Sequence, residues 1–280
     1  MIRRDGGDEI LLITQHDHAL LAGQMLRRVG NALFSPPGPL QPVFEAVSGH
    51  DCGWRSRDRG PALTLAGVPA HVFEITLSVA IGAWAESVET VAKDDPYAGL
   101  LVSLHGMHLA AGAAASAGRS VATDEFARRD RFQLQQFLLR QSEIQEGLRR
   151  RLGMRIDLPL SCGLCEEGLS DDDDLLRANF HLLKLMDQLS LVLCFDRLVF
   201  NRISEVYTRP MGDSVTIRVD RPRSGLVRIH PWPFDAEKLD LQVPVKRLKN
   251  RRYQDADIGG AISAAKAELI EVCLSNWHQI

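Results

Sequence analysis

Hydrophobic positions divide the chain into a helical first two-thirds and a strand-like final third. Glu9-Ile10-Leu11-Leu12-Ile13-Thr14 is a short apolar run after a Gly-Gly turn and predicts a strand. Ala19, Leu20, Ala22, Met25, Leu26 and Val29 then recur at three-to-four-residue intervals, the period of a helix, and the run stops at Gly30. Asp17 is placed to cap this helix, which leaves His18 in its first turn. Prolines in Phe34-Ser35-Pro36-Pro37-Gly38-Pro39 impose a loop, and Leu40 to Gly49 reads as a second helix that delivers His50 and Asp51 at its end.

An excursion rich in Arg, Asp, Gly and Pro covers 55–70. Helices are expected at about 72–92 and 95–117, the second opening on Asp94-Asp95-Pro96, where proline and acidic residues suit a helix start. A polar helix with Phe132, Phe137, Leu138 and Leu148 available for burial follows over 122–152, and Gly153 to Ser170 reads as a linker or lid. The acidic run 171–174 introduces the most apolar helix, roughly 175–200, with Asp187 and Asp196 inside it. Beyond about 210 the period changes to two. Val215–Val219, Gly225–His230 and Leu239–Val243 are candidate strands, and a final helix is expected over about 258–275. A lone N-terminal strand is unstable, so it should pair with the C-terminal strands.

The expectation is a single α+β domain over 1–280, mainly α. It has a helical core over about 15–205, a small antiparallel sheet from 8–14 and 213–245, and a closing helix. At 280 residues the chain can bury a large core. No run of about 18 apolar residues spans a membrane, and the first nine residues are too polar for a signal peptide. Five cysteines make an odd, sparse set for a secreted scaffold, which fits reduced thiols in a cytoplasm. A net charge of −3 argues against a general nucleic-acid partner, and Lys246 to Arg252 reads as a solvated face or turn.

Candidate chemistry gathers around His50-Asp51-Cys52-Gly53-Trp54. An adjacent His-Asp pair offers an imidazole nitrogen and a carboxylate oxygen, donors that suit zinc, iron, nickel and manganese. Further potential ligands stand in Gln15-His16-Asp17-His18-Ala19, in His105-Gly106-Met107-His108 and at Asp187. Each has a plainer reading. His18 can be a helix-start histidine, with His16 in its place; His50 and Asp51 can bond backbone groups; His105 and His108 can be packed core histidines. An unpaired carboxylate inside Leu-Met-Asp-Gln-Leu-Ser-Leu is costly, so Asp187 needs a metal, an arginine or a helix end. Cys162-Gly163-Leu164-Cys165 lacks the partners of a zinc knuckle and reads as a turn. Asp171 to Asp174 lacks the pattern of a calcium loop and suits a helix start.

The order of a helix-borne His, His-Asp-x-Gly and a late Asp in an apolar helix resembles the HD-domain superfamily, helical metal-dependent phosphohydrolases and phosphodiesterases with an offshoot of di-iron oxygenases. The resemblance implies a helical HD-like bundle and a divalent metal (Fe, Mn, Zn, Ni or Mg) on His18, His50, Asp51 and Asp187, with His105 as an intervening ligand. Trp54 stands where Lys or His is common, and a clean pair of intervening ligands is missing, which favours one metal over two. The chain also resembles a bacterial family of unknown function that shares Gln-x-Asp-His-Ala, His-Asp-x-Gly-Trp and Leu-Leu-Val-Ser-Leu-His. The implied activity is hydrolysis of a small phosphorylated molecule or nucleotide, with Asp51 and His105 as catalytic residues and a homodimer allowed. Asp17 is a second candidate for the proton or the attacking water, and Arg55 and Arg57 are candidate phosphate contacts. The rivals are a di-iron oxygenase and a non-catalytic binding scaffold.

Overall fold

The computed structural model describes residues 1–117, 124–155, 171–195 and 197–277. Strands β1 (Ile2–Asp5) and β2 (Glu9–Ile13) precede helices α1 (Gln15–Leu26) and α2 (Leu40–Gly49). A 3-10 turn, Cys52–Trp54, leads to short α3 (Arg55–Arg59), then α4 (Leu77–Asp94), α5 (Pro96–Ala117), α6 (Asp124–Leu152) and α7 (Asp171–Cys194). The last part holds β3 (Arg202–Tyr207), β4 (Ser214–Arg223), β5 (Leu226–His230), β6 (Lys238–Lys249), α8 (Asp255–Ala264) and β7 (Ala267–Asn276).

The sheet corrects the expected architecture. Among the described residues seven strands form one mixed sheet in the order β1-β2-β6-β7-β5-β4-β3, with β5 parallel to β7 and the other pairs antiparallel. The protein is therefore mixed α/β, and not a helical HD-like bundle with a small antiparallel sheet attached. The expected closing helix over 258–275 is also replaced: α8 stops at Ala264 and the next ten-residue segment is β7, at the centre of the sheet. Ala, Glu and Leu in Ala267–Leu274 favour a helix locally. Ile270, Val272 and Leu274 alternate at period two, however, and Val272 and Leu274 are buried against the helical layer. Burial of that face outweighs propensity, because it takes several large apolar side chains out of water.

The N-terminal strand does join the C-terminal strands, with Glu9 to Leu12 of β2 in antiparallel register with Lys249 to Lys246 of β6. Both faces of β2 are covered. Ile10 and Leu12 pack with Leu248, Ile258 and Ile262 beneath α8, while Ile13 belongs to the main core with α1, α2, α5 and α7. A strand covered on both faces reads as a continuous apolar run, as Ile10–Ile13 does. Strand β1 escaped the pattern because Arg4 is buried in it. The Arg4 guanidinium donates to the Leu193 and Cys194 carbonyls at 2.8 and 2.6 Å, satisfying the carbonyl end of α7.

Helix α5 is the central helix, with residues 98–107 buried almost without interruption. A helix buried all round shows little amphipathic pattern, and its few polar groups must find partners. Ser103 donates to Gln141 of α6 at 2.8 Å and accepts from Gln145 at 2.9 Å, which fixes the rotation of α5 about its axis. Asp95 caps the helix by accepting from the Ala98 N–H at 2.8 Å, as the Asp-Pro start predicts. Helix α4 begins at Leu77, later than expected, because His71 and Glu74 close a separate 3-10 turn by reciprocal capping bonds. Phe132, expected to be buried, is exposed.

Candidate metal centre

Four elements bring five polar side chains into the core. Thr14, and not Asp17, caps α1: its hydroxyl accepts from the Asp17 N–H at 2.9 Å and donates to the Asp17 carboxylate at 2.6 Å. Four residues after this cap, His18 turns inward and is fully buried. His50 terminates α2 and Asp51 follows it with φ −116° and ψ 20°, off the helix. That break lets two neighbouring side chains face one point, which an unbroken helix, stepping about 100° per residue, does not allow. Gly53 has a packing role. A Cβ there would stand 2.2 Å from the Ala83 carbonyl oxygen, and its N–H donates to Ser87 Oγ at 2.9 Å, so the turn lies directly on α4. His105 comes from α5 and Asp187 from α7. Leu183, Leu185, Met186, Leu189 and Val192 of α7 are all buried. Each contributes roughly 1.5–3 kcal/mol, enough to carry a carboxylate into the core with them.

The donor atoms converge. His18 Nε2 lies 3.2 Å from Asp187 Oδ1 and 3.7 Å from Asp51 Oδ2; His50 Nε2 lies 3.4 Å from Asp187 Oδ1 and 3.9 Å from Asp51 Oδ2. Donors about 2.1 Å from a shared centre stand about 3.0 Å apart at right angles and about 3.4 Å apart in a tetrahedron. His105 Nε2 approaches the other oxygen, Asp187 Oδ2, at 3.7 Å. His18, His50 and Asp51 form one group able to hold a metal ion, and His50, His105 and Asp187 a second. The two share His50, and a single ring nitrogen serves one metal.

Hydrogen bonding orients the set. His50 Nδ1 lies 2.7 Å from the Val47 carbonyl, so this nitrogen carries the proton and donates, and Nε2 faces the cluster. Although 3.4 Å from Asp187, His50 Nε2 makes no aligned hydrogen bond. Gln15, one turn before His18, donates from Nε2 to Asp51 Oδ2 at 3.2 Å, while its Oε1 has no protein partner. Burial alone would pull His50 down, but the charges of Asp51 and then Asp187 outweigh it and hold the imidazole at about 9. Burial pushes His105 down to about 3 against the attraction of Asp187, which keeps it neutral. Burial raises the Asp51 carboxyl against the pull of His50 and His18. For Asp187 burial acts in the same direction but loses to the contacts with His18 and His50, which leave it well below the usual carboxylate range. Among the described residues no lysine or arginine pairs with either carboxylate, so the basic groups that face the two acids are histidines.

Beside the donors lies a cavity of about 130 Å³ reached by Gln15, His18, Asp51, His105 and Asp187 and walled by Trp54, Phe73 and Trp84 among others. A larger concavity, about 820 Å³, lies over Arg223–Leu226, Lys238 and Cys273 and touches none of the cluster.

Of the residues singled out in the sequence, His18, His50, Asp51, His105 and Asp187 come together and Trp54 walls the cavity beside them, while the other described candidates stand elsewhere. His16 accepts a 2.7 Å bond from Arg55, at a surface groove separate from the cluster. Asp17 is occupied by its own helix start. Arg57 bonds the Gly53 carbonyl and Glu86, and neither it nor Arg55 lines the cavity. His108 packs edge-on to Phe180, with ring centres 6.1 Å apart, outside the donor set. Lys246, Arg247 and Lys249 lie in β6 rather than in a turn; Arg247 pairs with Glu9 and Glu268. Cys162, Cys165, the 156–170 linker and Asp196 lie outside the described residues. Sequence reasoning missed Gln15, although its spacing of three from His18 places both on one helix side. It also missed the walls from Phe73 and Trp84, which become neighbours of the site only through folding.

Fold and site together define a mixed α/β protein with a buried His/Asp cluster that could hold a metal ion. The chain belongs to the family described as "Protein of unknown function (DUF3891)", whose model matches residues 1–250. No curated protein and no solved structure matches it. No helix among the described residues is long and apolar enough to cross a membrane.

Proposed function

We propose that the protein is a metal-dependent hydrolase of small phosphoesters, with one divalent transition metal held by His18, His50, Asp51 and Asp187. The observation that carries this reading is that two imidazole nitrogens, of His18 and His50, each stand 3.2–3.9 Å from an oxygen of both Asp51 and Asp187, at a buried point beside a cavity. The order of these residues along the chain is also the order that the HD-domain resemblance implies. Two or three imidazoles favour iron, manganese, zinc or nickel over magnesium.

When bound, such a metal lowers the pKa of a water and polarises a phosphoryl oxygen. The protein's own groups supply the rest. Val47 and Gln15 fix the orientation of His50 and Asp51. His105 reaches the cavity and stands next to Asp187, so it is placed to hold the attacking water by a hydrogen bond, while burial leaves it too weak a base to take the proton itself. The water oxygen bonds to phosphorus, the ester P–O bond breaks, and the proton released by the water leaves with the alcohol. A two-iron oxygenase needs a second independent donor set, and sharing of His50 between the two groups disfavours it.

The test is metal analysis of protein expressed in metal-supplemented medium, combined with hydrolysis of bis-p-nitrophenyl phosphate. About one equivalent of a transition metal is expected, and activity that disappears in Asp51→Ala with an unchanged circular dichroism spectrum. Less than about 0.2 equivalents of any such metal overturns the reading, because a metal-dependent site must be loaded to act.

A further inference from the structure

The walls of the cavity carry information about what enters it. We infer that the substrate presents an uncharged, apolar group of about the size of one ring to this cavity, and that nucleotides are not substrates. The inference rests on the reading of the His/Asp cluster as the reacting centre.

Size is the first argument. The cavity holds about 130 Å³, close to the roughly 150 Å³ hydrocarbon-lined cavity that admits a benzene molecule. A base with its ribose exceeds that space. Lining chemistry is the second. Away from the cluster the walls include Trp54, Val72, Ile75, Ala80, Trp84 and Leu109, and among the described residues no lysine or arginine lines the cavity. A charged ligand group there would lose its water without gaining an ionic partner, a cost of several kcal/mol. Negative charge is therefore tolerated at one end only, against the histidines and the metal they would hold. The apolar character continues at the rim. Phe73 is 62% exposed and stacks on Phe195 with ring centres 5.8 Å apart.

Besides His18 and His105, whose buried Nδ1 atoms lack a protein partner, two further lining residues keep such an atom, the donor Trp54 Nε1 and the acceptor Gln15 Oε1. Buried polar atoms usually find partners, so these two mark a place for ligand polar groups. A hydroxyl both accepts and donates. Phenol is thus a minimal probe of ring and polar handle together, and an aryl phosphoester joins that ring to the reacting group.

The experiment is titration calorimetry of the full chain, loaded with metal, against phenol and against adenosine monophosphate. Phenol should bind with a dissociation constant of about 1 mM or tighter, and adenosine monophosphate at least about tenfold more weakly, one decade being the smallest difference that separates the two classes. Ala80→Leu, which fills the cavity from α4, and Leu109→Phe, which fills it from α5, should each weaken phenol at least about tenfold while metal content stays unchanged; two variants guard against one that misfolds. Metal present with no phenol binding, equal affinity for the nucleotide, or phenol binding indifferent to both variants overturns the inference alone. Phenol binding that both variants weaken, in a protein that retains no metal, supports the ligand class and overturns the hydrolase reading.

Discussion

Asp187→Asn gives the sharpest test of the centre, because Asp187 is the one residue in contact range of all three histidines. One oxygen lies 3.2 Å from His18 and 3.4 Å from His50, and the other 3.7 Å from His105. The substitution keeps the shape of the side chain and removes its charge. Two effects follow, separable by metal titration. Without added metal, the His18 and His50 contacts lose the anion they face; breaking a buried charged pair costs about 3–5 kcal/mol. With metal, one donor of four is lost along with half of the carboxylate charge. A metal at a thousand times its dissociation constant stabilises a native protein by about 4 kcal/mol. At roughly 2 °C per kcal/mol for a domain of this size, that is a rise of about 8 °C in melting temperature. Thermal unfolding followed by circular dichroism, with and without manganese, iron, zinc or nickel, should show that rise in the parent protein and less than about a quarter of it in Asp187→Asn. A parent protein whose melting temperature ignores all four metals, or a variant that keeps the full rise, refutes the reasoning.

Two further outcomes follow from the same structure. Gly53→Ala forces a Cβ to within 2.2 Å of the Ala83 carbonyl, so urea denaturation should register a loss of about 1–3 kcal/mol or more. Metal content should fall with it, because the turn that carries His50 and Asp51 must lift off α4; unchanged stability would show that the backbone has room to yield. His71 provides a pH prediction. Burial, the Met1 ammonium and Arg3 outweigh the attraction of Glu74 and push it down to about 4. Between the ordinary value of about 6.5 and 4 the unfolded chain takes up a proton that the folded one refuses, so stability is full above pH 6.5 and declines as the pH falls. In the folded state His71 Nδ1 accepts from the Phe73 N–H, a role that asparagine can keep. His71→Asn should therefore melt with a shallower dependence on pH between 6.5 and 4, and identical slopes would exclude His71 as a contributor.

The helices were legible wherever one face is apolar and the ends carry chemical signals. Leu40–Gly49 falls on its expected bounds, and Pro96 opens α5 after the Asp95 cap. The sheet was legible strand by strand where alternation is clean, as in Ile217 and Val219 or Val227 and Ile229, but its extent was not. Strand β7 is hidden behind helix-forming residues, and β1 behind an arginine whose charge is answered by carbonyls far along the chain. Parallel pairing of β5 with β7 is a decision of topology that no local pattern records. At the site, residue types and order picked out the residues that come together, since a buried Asp inside an apolar helix demands partners. Spacing could not reveal that Asp17 and Arg55 spend their polar groups elsewhere, nor that Phe73 and Trp84 would join Trp54 in walling the cavity.

The pairing of β2 with β6 has a consequence for the order of events during synthesis. The first ligand, His18, follows directly on β2, which lies between β1 and β6. While the ribosome has made only the residues through Asp187, all the proposed donors exist, yet the strand that leads into α1 has β1 beside it and still lacks β6 on its other edge. Contacts this distant in sequence form late, since a long loop must close before they return any free energy. A nascent chain therefore displays its histidines and acids before it can shape them into a selective site. On the proposed reading, metal loading would be a post-translational event, governed by whichever ions surround the finished chain and not by those met during elongation.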